Sequence, residues 1–452
     1  MIRRLAGRLP ALSRGSWATP LLSRRGATTL RRAENLLFHG WSQEGLALLA
    51  GVERNGGRAA RLSALNLKNR WSAWRRTWTA RTLKADVAIV SHLALPGGNA
   101  SAVAEEVRAL KAAGKTVVLV HHPVRTWNIT RALNPKIADL LDGESAVLAG
   151  PGDAVECGLA VLRLPTVFMR PMEDLPEITA RRTVLVVNQT PFKYYEGDRG
   201  VDKAWDVATV RENVQRLFGD HTWLPVGPVV REALSDHHST AMSEMDLSGD
   251  YWYEVLDLAR WRAKAIDGEA APTSRPIVIG RHSRDHELKW PHGRDLADAY
   301  PAGRTTEVRV LGGSNVPRKR LGGLPETWTD LPFGSTDVQE FLHSLDVYVY
   351  FIDPAAQEAF GYAPMEAMAA GVPVVCDRRL EPLFGEAAVY CEPSEVEGTV
   401  RALAQSPARW RAQAQRARDA VRQRFSHEAL IRRVDDLVAA GKPRRRGDYA
   451  TR

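Results

Sequence analysis

Short apolar runs alternate with amphipathic stretches from about residue 85 to the C-terminus, and this alternation predicts a parallel α/β architecture. The first unit runs from an apolar strand at 86–92 through a glycine-rich turn at 95–101 to a helix over 102–113 and a strand over 116–121. Strand, turn, helix and strand make a βαβ unit, whose strands are parallel. Later segments extend this domain to about residue 265: strands at 146–149, 166–169, 184–187 and 222–226, and a helix over 207–217.

A second α/β domain is predicted after a linker at 266–275, which is rich in Gly, Pro, Thr and Ser. It opens with a strand at 276–280, contains a long basic helix over 407–424, and has further strands at 307–311, 347–351, 372–376 and 388–391. Open parallel sheets bind ligands at the C-terminal ends of their strands, so two facing domains predict an interdomain cleft. We therefore divide the chain into a basic, partly helical extension (1–84), an N-terminal Rossmann-like domain (85–265), a C-terminal Rossmann-like domain (276–425), and a crossover helix with a basic tail (426–452).

The most informative candidate ligand-binding residues are Glu358 and Glu366, two carboxylates eight positions apart with Phe360-Gly361-Tyr362 between them. A helix is predicted over 364–370, because Pro stands in its first turn and Gly just after its end. Backbone N–H groups at a helix start suit a phosphate, whereas carboxylates accept hydrogen bonds from hydroxyls. The pattern predicts a nucleotide sugar, with its phosphates between the ribose and a hexose.

This segment resembles the Glu-x7-Glu motif of retaining glycosyltransferases with the GT-B fold. The resemblance continues through Leu380-Glu381-Pro382 and Phe425-Ser426-His427-Glu428, and it is strong over about 275–440 and thin before that. It implies that Glu366 binds the ribose and Glu358 the transferred sugar, while the backbone of Phe360, Gly361 and Tyr362 cradles sugar and phosphate.

The same resemblance assigns the groups around the diphosphate. Arg281 and Lys289 would grip it, with Arg284 as a substitute because the spacing from Arg281 to Lys289 is long. Gly312 would lie near the nucleotide. The turn containing Gly97, Gly98 and Asn99 would approach the acceptor and the diphosphate, although such a glycine pair also occurs where tight packing alone requires it.

Other candidate residues keep two interpretations. His121 either orients the acceptor or is structural. Relatives carry a cleft histidine after a strand that corresponds to 184–187, but here Asn188 follows that strand and offers a neutral hydrogen bond instead. Glu381 matches the glutamate of the family's loop or is a surface carboxylate. Glu358 and Glu366 also have structural interpretations. Glu358 could interact favourably with the helix dipole, and Glu366 could form a salt bridge on the face of the helix.

The 452-residue chain has a net charge of +9, and its basic residues cluster at both ends. The arginines before Glu34 are compatible with a transit peptide, an arm that binds anionic lipid, or a solvated tail. Trp71, Trp74 and Trp78 recur at helical spacing, and we expect them to pack on the neighbouring domain rather than to lie in a membrane interface. The sequence has no apolar run of the ~20 residues that span a bilayer.

Three scattered cysteines favour a reducing compartment, and no Cys-x-x-Cys spacing indicates a zinc site. No Asp-x-Asp pair stands in a predicted cleft loop, so we expect metal-independent neutralisation of the diphosphate by Arg281 and Lys289. The basic run 318–320 lacks the interleaved aromatic residues typical of nucleic-acid binding. A cytoplasmic location is expected, or a peripheral one at the cytoplasmic face of a membrane.

These observations predict a retaining, hexosyltransferase-like GT-B enzyme without a cofactor. It would move a sugar from a nucleoside-diphosphate sugar to a hydroxyl of a polysaccharide, a lipid-linked acceptor or another cell-envelope glycan. Two alternatives stay open: a glycan phosphorylase or nucleotide-sugar epimerase on the same fold, and a non-catalytic binding or scaffold protein.

Overall fold

The computed structural model describes residues 24–125, 131–197, 199–243, 245–264, 275–301 and 303–440. The predicted linker and the basic runs before residue 24 and after residue 440 lie almost entirely outside these ranges. The first half of the chain contains, in order, α1 (Arg24–Phe38), α2 (Ser42–Asn55), α3 (Arg58–Arg76), β1 (Thr82–Ser91), α4 (Gly98–Ala112), β2 (Val117–His121), α5 (Pro135–Ala138), β3 (Ala146–Leu148), β4 (Ala154–Arg163), β5 (Glu177–Val187), β6 (Phe192–Glu196), β7 (Arg199–Lys203), α6 (Val207–Phe218), β8 (Thr222–Pro225), α7 (Pro228–His237), α8 (Ser239–Met242) and β9 (Asp246–Leu247).

The second half contains a second set of alternating strands and helices. They are β10 (Ile277–His282), α9 (Gly293–Ala299), β11 (Thr306–Leu311), α10 (Asn315–Leu321), β12 (Trp328–Leu331), α11 (Val338–His343), β13 (Val347–Tyr350), α12 (Tyr362–Ala369), β14 (Val374–Cys376), α13 (Glu381–Phe384), β15 (Val389–Tyr390), α14 (Val396–Ala404), α15 (Pro407–Arg424) and α16 (His427–Ala440).

Two parallel sheets organise these elements. The first has the strand order β3-β2-β1-β4-β5-β8-β9, and the second has the order β12-β11-β10-β13-β14-β15. β6 and β7 form a separate antiparallel hairpin. Helices cover the sheets, so the central strands read as continuous apolar runs; Val87 to Val90 of β1 are all buried. The predicted fold class, two doubly wound α/β domains, is confirmed.

Several elements differ from the sequence prediction in type or in their bounds. Residues 166–169 lie in a 3-10 helix, Pro165–Met169, rather than in a strand, because Leu164 turns the chain with a φ of 66° and Pro165 opens the helix. The strand in that region is β4, which was not predicted from the sequence because Glu156 and Gly158 interrupt its apolar pattern. α4 begins at Gly98 instead of 102, and α12 at Tyr362 instead of Pro364.

The described part of the extension, predicted as partly helical, contains three helices, α1 to α3. The Trp71 indole donates a hydrogen bond to the Leu37 carbonyl, and the Trp74 ring lies 5.2 Å from that of Phe38. Trp71 and Trp74 therefore pack on α1, inside the extension, and not on the neighbouring domain as predicted. Trp78 alone reaches the neighbouring domain, where its indole donates to Asp153.

The extension is fixed to the loops that follow β2 and the 165–169 helix. The Glu173 carboxylate accepts hydrogen bonds from the backbone N–H groups of Gln43 and Glu44 at the start of α2. Glu44 in turn forms ion pairs with Arg125 and Arg170. These contacts cross from the extension to the C-terminal edge of the first sheet.

At the other end of the chain, α15 has the predicted bounds, and α16 returns to the first domain. His427 Nε2 lies 2.9 Å from a Glu105 carboxylate oxygen on α4. Leu430 and Val434 of α16 are buried in the main core. Among the helices described, none is both long and apolar enough to span a bilayer.

Candidate active site

Glu358 lies in the loop between β13 and α12, and three groups hold its carboxylate. Lys289 forms an ion pair with Oε2, and the Tyr350 hydroxyl donates a hydrogen bond of 2.7 Å to the same oxygen. The Gly361 backbone N–H is the third donor. Burial alone would raise the pKa of Glu358, but Lys289 and these hydrogen bonds hold it below its usual value. The carboxylate is therefore ionised at neutral pH.

The turn between the two glutamates presents backbone rather than side chains. Gly361 precedes α12 with a φ of 77°, a conformation that favours glycine. Phe360 is buried, with its ring 5.5 Å from that of Phe425. The Tyr362 hydroxyl donates to the Val255 carbonyl at 3.3 Å, in the segment that leads out of the first domain. Both aromatic side chains therefore pack into the protein and anchor the turn, so that its backbone N–H groups can face a ligand.

Glu366 lies one turn into α12 and is hydrogen-bonded to His282 Nε2 at 2.7 Å. His282 ends β10, and its ring packs edge-on against Tyr348 with centroids 5.5 Å apart. The Glu366 side chain is 21% exposed. A carboxylate offers about four acceptor positions, so Glu366 can hold His282 and still accept from a ribose hydroxyl.

Arg281 lies in the interior and not at the cleft. Its guanidinium is fully buried between the rings of Trp290 and Tyr350, 4.4 and 4.6 Å from their centroids. It donates hydrogen bonds to the Phe351 carbonyl at 2.7 Å and to the Tyr300 hydroxyl at 3.1 Å. Side chains alternate along a strand, so Arg281 shares the core face of β10 with Ile279. The predicted direct grip on a diphosphate does not fit this position.

Other cations are better placed for an anion. The Lys289 side chain is 28% exposed beside Glu358, and Arg284 is exposed in the loop after β10. Arg378, after β14, is 57% exposed, and its carboxylate neighbours Glu381 and Glu392 lie at 4.0 and 3.8 Å. Both neighbours are themselves more than half exposed, so these ion pairs are weak and leave Arg378 available.

A cavity of about 210 Å³ opens beside Glu358, and both domains line it. Val229 and Glu232 of α7 contribute from the first domain, and Gln357, Glu358 and Arg378 from the second. Arg379 also lines the cavity, but its guanidinium is bound to Asp377 and to the Asp353 and Pro354 carbonyls. It joins the loops after β13 and β14, and so fixes the cavity wall.

On the first domain, the predicted glycine turn leads into α4. Gly97 has a φ of 95°, and Gly98 is the first residue of the helix. No described atom lies within 4 Å of the position that a Cβ would take at either glycine. Tight packing therefore does not explain the glycine pair, because the space beside it is open.

Asn99 and Asn188, predicted separately, are in direct contact. The Asn188 side-chain amide donates to Asn99 Oδ1 at 3.1 Å, and the Asn99 amide donates to Ser91 Oγ at 3.1 Å. Ser91 ends β1 and Asn188 follows β5, so the chain of hydrogen bonds connects two strand ends with the start of α4. Within the described residues, Asn188 Oδ1 is buried without a hydrogen-bond partner.

The structural interpretation of His121 is supported by a hydrogen bond to the backbone. Its Nδ1 accepts a hydrogen bond from the Leu93 N–H at 3.1 Å, and burial lowers its pKa to about 3. It is therefore neutral at neutral pH. The adjacent His122 is also neutral, since burial lowers its pKa to about 4 and its Nε2 accepts from the Met172 N–H at 3.0 Å.

The two remaining candidates differ in position. Gly312 directly follows β11 with a φ of 118°, and a Cβ there would overlap the Ser283 carbonyl oxygen. The close approach brings the ends of β10 and β11 together at the edge where a nucleotide is expected. Glu381 opens α13 with its side chain 56% exposed and does not line the cavity, so the surface interpretation fits it better.

Sequence reasoning missed Tyr350, His282 and Arg378. The two partners of the glutamates, Tyr350 and His282, belong to strands whose residues read as core. Arg378 lies two residues after the strand 372–376 and could have been found by the strand-end argument applied to Arg281. The described residues contain no group of three or more His, Cys, Asp or Glu side chains placed to hold a metal ion.

The sequence and the fold were compared with those of known proteins. Residues 297–436 match the family described as glycosyl transferase-like. HepE from Anabaena, solved with UDP and glucose, superposes with a TM-score of 0.53 at 13% identity, over 79% of this chain and 100% of that one. A glycosyltransferase from Rickettsia africae gives 0.53 at 12% identity, over 79% and 98%. No curated protein matches the chain.

The fold is therefore GT-B, as predicted, and residues 297–436 are similar to the glycosyl transferase-like family. That region, from α9 to α16, covers Glu358, Glu366 and the turn between them, and it is the glycosyl transferase-like part of the chain.

Proposed function

We propose that the protein is a retaining glycosyltransferase that moves a hexose from a nucleoside diphosphate to an acceptor hydroxyl. The observation that carries the proposal is the ionised Glu358 in the loop before α12, held by Lys289 and Tyr350 beside a cavity that both domains line. Glu358 would accept hydrogen bonds from the sugar hydroxyls, and Glu366 from the ribose.

In the proposed reaction, the bond between the anomeric carbon and the diphosphate oxygen breaks as the acceptor oxygen bonds to the same carbon on the same face. The acceptor proton passes to the departing diphosphate. Charge grows on that diphosphate during the step, and nearby cations lower the barrier by stabilising it. Lys289, Arg284 and Arg378 are the cations that can approach it, whereas Arg281 supports Glu358 from behind through the Tyr350 ring.

We propose a uridine diphosphate sugar as the donor, because HepE is solved with UDP and glucose and also with UDP-glucose. The acceptor would be a hydroxyl of a polysaccharide or lipid-linked glycan of the cell envelope, reached from the cytoplasmic side. The open turn at Gly97 and the contact between Asn99 and Asn188 lie at the strand ends of the first domain, where that hydroxyl would enter.

Calorimetric titration with a panel of nucleotide sugars, beginning with UDP-glucose, tests the donor site. Replacing Glu366 by Gln removes the charge from a hydrogen-bond acceptor for the ribose. A hydrogen bond to a charged group is worth about 1.5–3 kcal/mol, so we expect Kd to rise about 10- to 100-fold. Glu358→Gln should lower turnover as well.

Glu381→Gln is the matched control, because it makes the same change in an exposed carboxylate outside the cavity lining. Its Kd and turnover should equal those of the wild type. A protein that binds no nucleotide sugar would be a scaffold, and the proposal would fall. Turnover that requires inorganic phosphate, or that isomerises the donor without an acceptor, would indicate the phosphorylase or the epimerase.

A further inference from the structure

The positive charge of the protein is concentrated in the helical extension. Residues 24–76 hold eleven Lys or Arg and three Glu, a net charge of +8, and the segments 1–23 and 441–452 each carry +4. Residues 77–440, which contain both sheets, have 42 basic and 49 acidic residues and thus a net charge of −7. An anionic surface would therefore attract the extension and repel the catalytic body.

The outer face of α3 combines this charge with exposed apolar side chains. Its inner face, with Ala64 and Leu67, is buried in the small core of the extension. Leu62 and Leu65 point the other way and are 54% and 46% exposed. Arg58, Arg61 and Arg76 are exposed on the same side of the helix. Apolar residues flanked by arginines are typical of helices that lie in a membrane interface.

The extension is attached to the first domain, which carries the proposed acceptor entrance. α2 is fixed to Glu173 and, through Glu44, to Arg125, which lies four residues beyond the end of β2. The C-terminal ends of the strands form the cleft edge of the sheet. A surface bound by α3 would consequently lie against the first domain, to which the extension is attached.

We propose that the outer face of α3, with Leu62 and Leu65 inserted and Arg58, Arg61 and Arg76 on the head groups, docks the protein on an anionic lipid bilayer. The docking would present membrane-held acceptors to the first domain, and in this respect it rests on the proposed function. The exposed leucine pair favours a bilayer over a soluble polyanion, because a polyanion offers no apolar layer to receive it.

Vesicle co-sedimentation of the full chain tests the proposal without a donor or an acceptor. The wild type should bind mixed phosphatidylcholine–phosphatidylglycerol vesicles and not pure phosphatidylcholine, and salt should weaken the binding because it screens the charges. Leu62→Ser combined with Leu65→Ser should weaken binding about tenfold or more, since interfacial affinity follows the apolar area inserted. Each of Arg58→Gln, Arg61→Gln and Arg76→Gln should cost about fivefold.

Phe333→Ser is the matched control for the leucines, because Phe333 is 81% exposed but belongs to the second domain. Arg294→Gln, with a side chain 88% exposed on α9, is the control for charge. Neither should change vesicle binding. Because every replaced side chain is exposed, thermal unfolding should be unaltered in all variants.

Three outcomes would overturn the proposal. In the first, the wild type fails to bind vesicles, and in the second, the double leucine variant binds them as well as the wild type does. In the third outcome, the wild type and the leucine variant are retained equally on duplex DNA and neither is retained on vesicles. Calorimetry with UDP-glucose is run on the same samples. Vesicle binding without donor binding would refute the proposed function alone, and donor binding without vesicle binding would refute the docking surface alone.

Discussion

At the residue scale, two neighbouring residues of one strand take different roles according to which face of the strand carries each side chain. His282 and Arg281 are adjacent at the end of β10, yet His282 contacts Glu366 while Arg281 is enclosed by Trp290 and Tyr350. A buried guanidinium is tolerable here because its hydrogen bonds and two aromatic faces replace part of its hydration.

The enclosed position of Arg281 makes a prediction about stability and activity together. Arg281→Lys should lower the free energy of unfolding by about 2–3 kcal/mol, because lysine has one nitrogen and cannot reproduce the hydrogen bonds of both Nη1, to Tyr300 and Phe351, and Nη2, to Ser283. It should also lower turnover, since Tyr350 stacks on Arg281 and donates to Glu358. Urea unfolding and steady-state kinetics measure the two effects. Normal stability with lost donor affinity would instead indicate direct contact with the diphosphate.

At the element scale, α2 depends on the first domain for its N-terminal hydrogen bonds. The first N–H groups of a helix have no partner within it, and Glu173 supplies one for Gln43 and Glu44. Its negative charge also suits the positive end of the helix dipole. The extension is therefore held to the first domain by a cap donated across the boundary, together with the ion pairs of Glu44.

Glu173→Ala should loosen that attachment without unfolding either sheet. The loss of a cap costs about 0.5–2 kcal/mol, so hydrogen exchange in α2 should accelerate by about 2- to 30-fold while β1 and β4 remain protected. Glu177→Ala, at the exposed start of β5, is the control and should leave α2 unchanged. Equal acceleration across α2 and the first sheet would contradict a local cap.

At the scale of the whole molecule, a buried charged cluster connects four distant segments. Arg163 of β4 is fully buried and forms ion pairs with Glu106 of α4 and with Glu254, the latter at 2.6 Å. The Trp252 indole donates to Glu106 at 2.6 Å, and Arg433 of α16 lies over the same indole. The cluster thus ties the first sheet to the segment leaving it and to the returning helix.

Arg163→Met should be strongly destabilising, because it leaves two carboxylates buried without their cation. Breaking a buried ion pair on one side costs about 3–5 kcal/mol, which chemical denaturation measures directly. Arg182→Met, on the partly exposed β5, is a control expected to cost about 1 kcal/mol or less. A similar small loss for Arg163→Met would show that the two glutamates are protonated when unpaired.

By itself, the sequence determined the alternation of strands and helices, the GT-B class and the segment 358–366, because hydrophobic period, Pro and Gly punctuation and motif spacing are local properties of the chain. It also located Asn99 and Asn188, although not their contact. Only the tertiary structure decided the burial of Arg281, the partners of the two glutamates, the strand β4 and the docking of the extension. Those depend on which face of a strand meets which neighbour, and contacts between residues far apart in sequence leave no periodic signal along the chain.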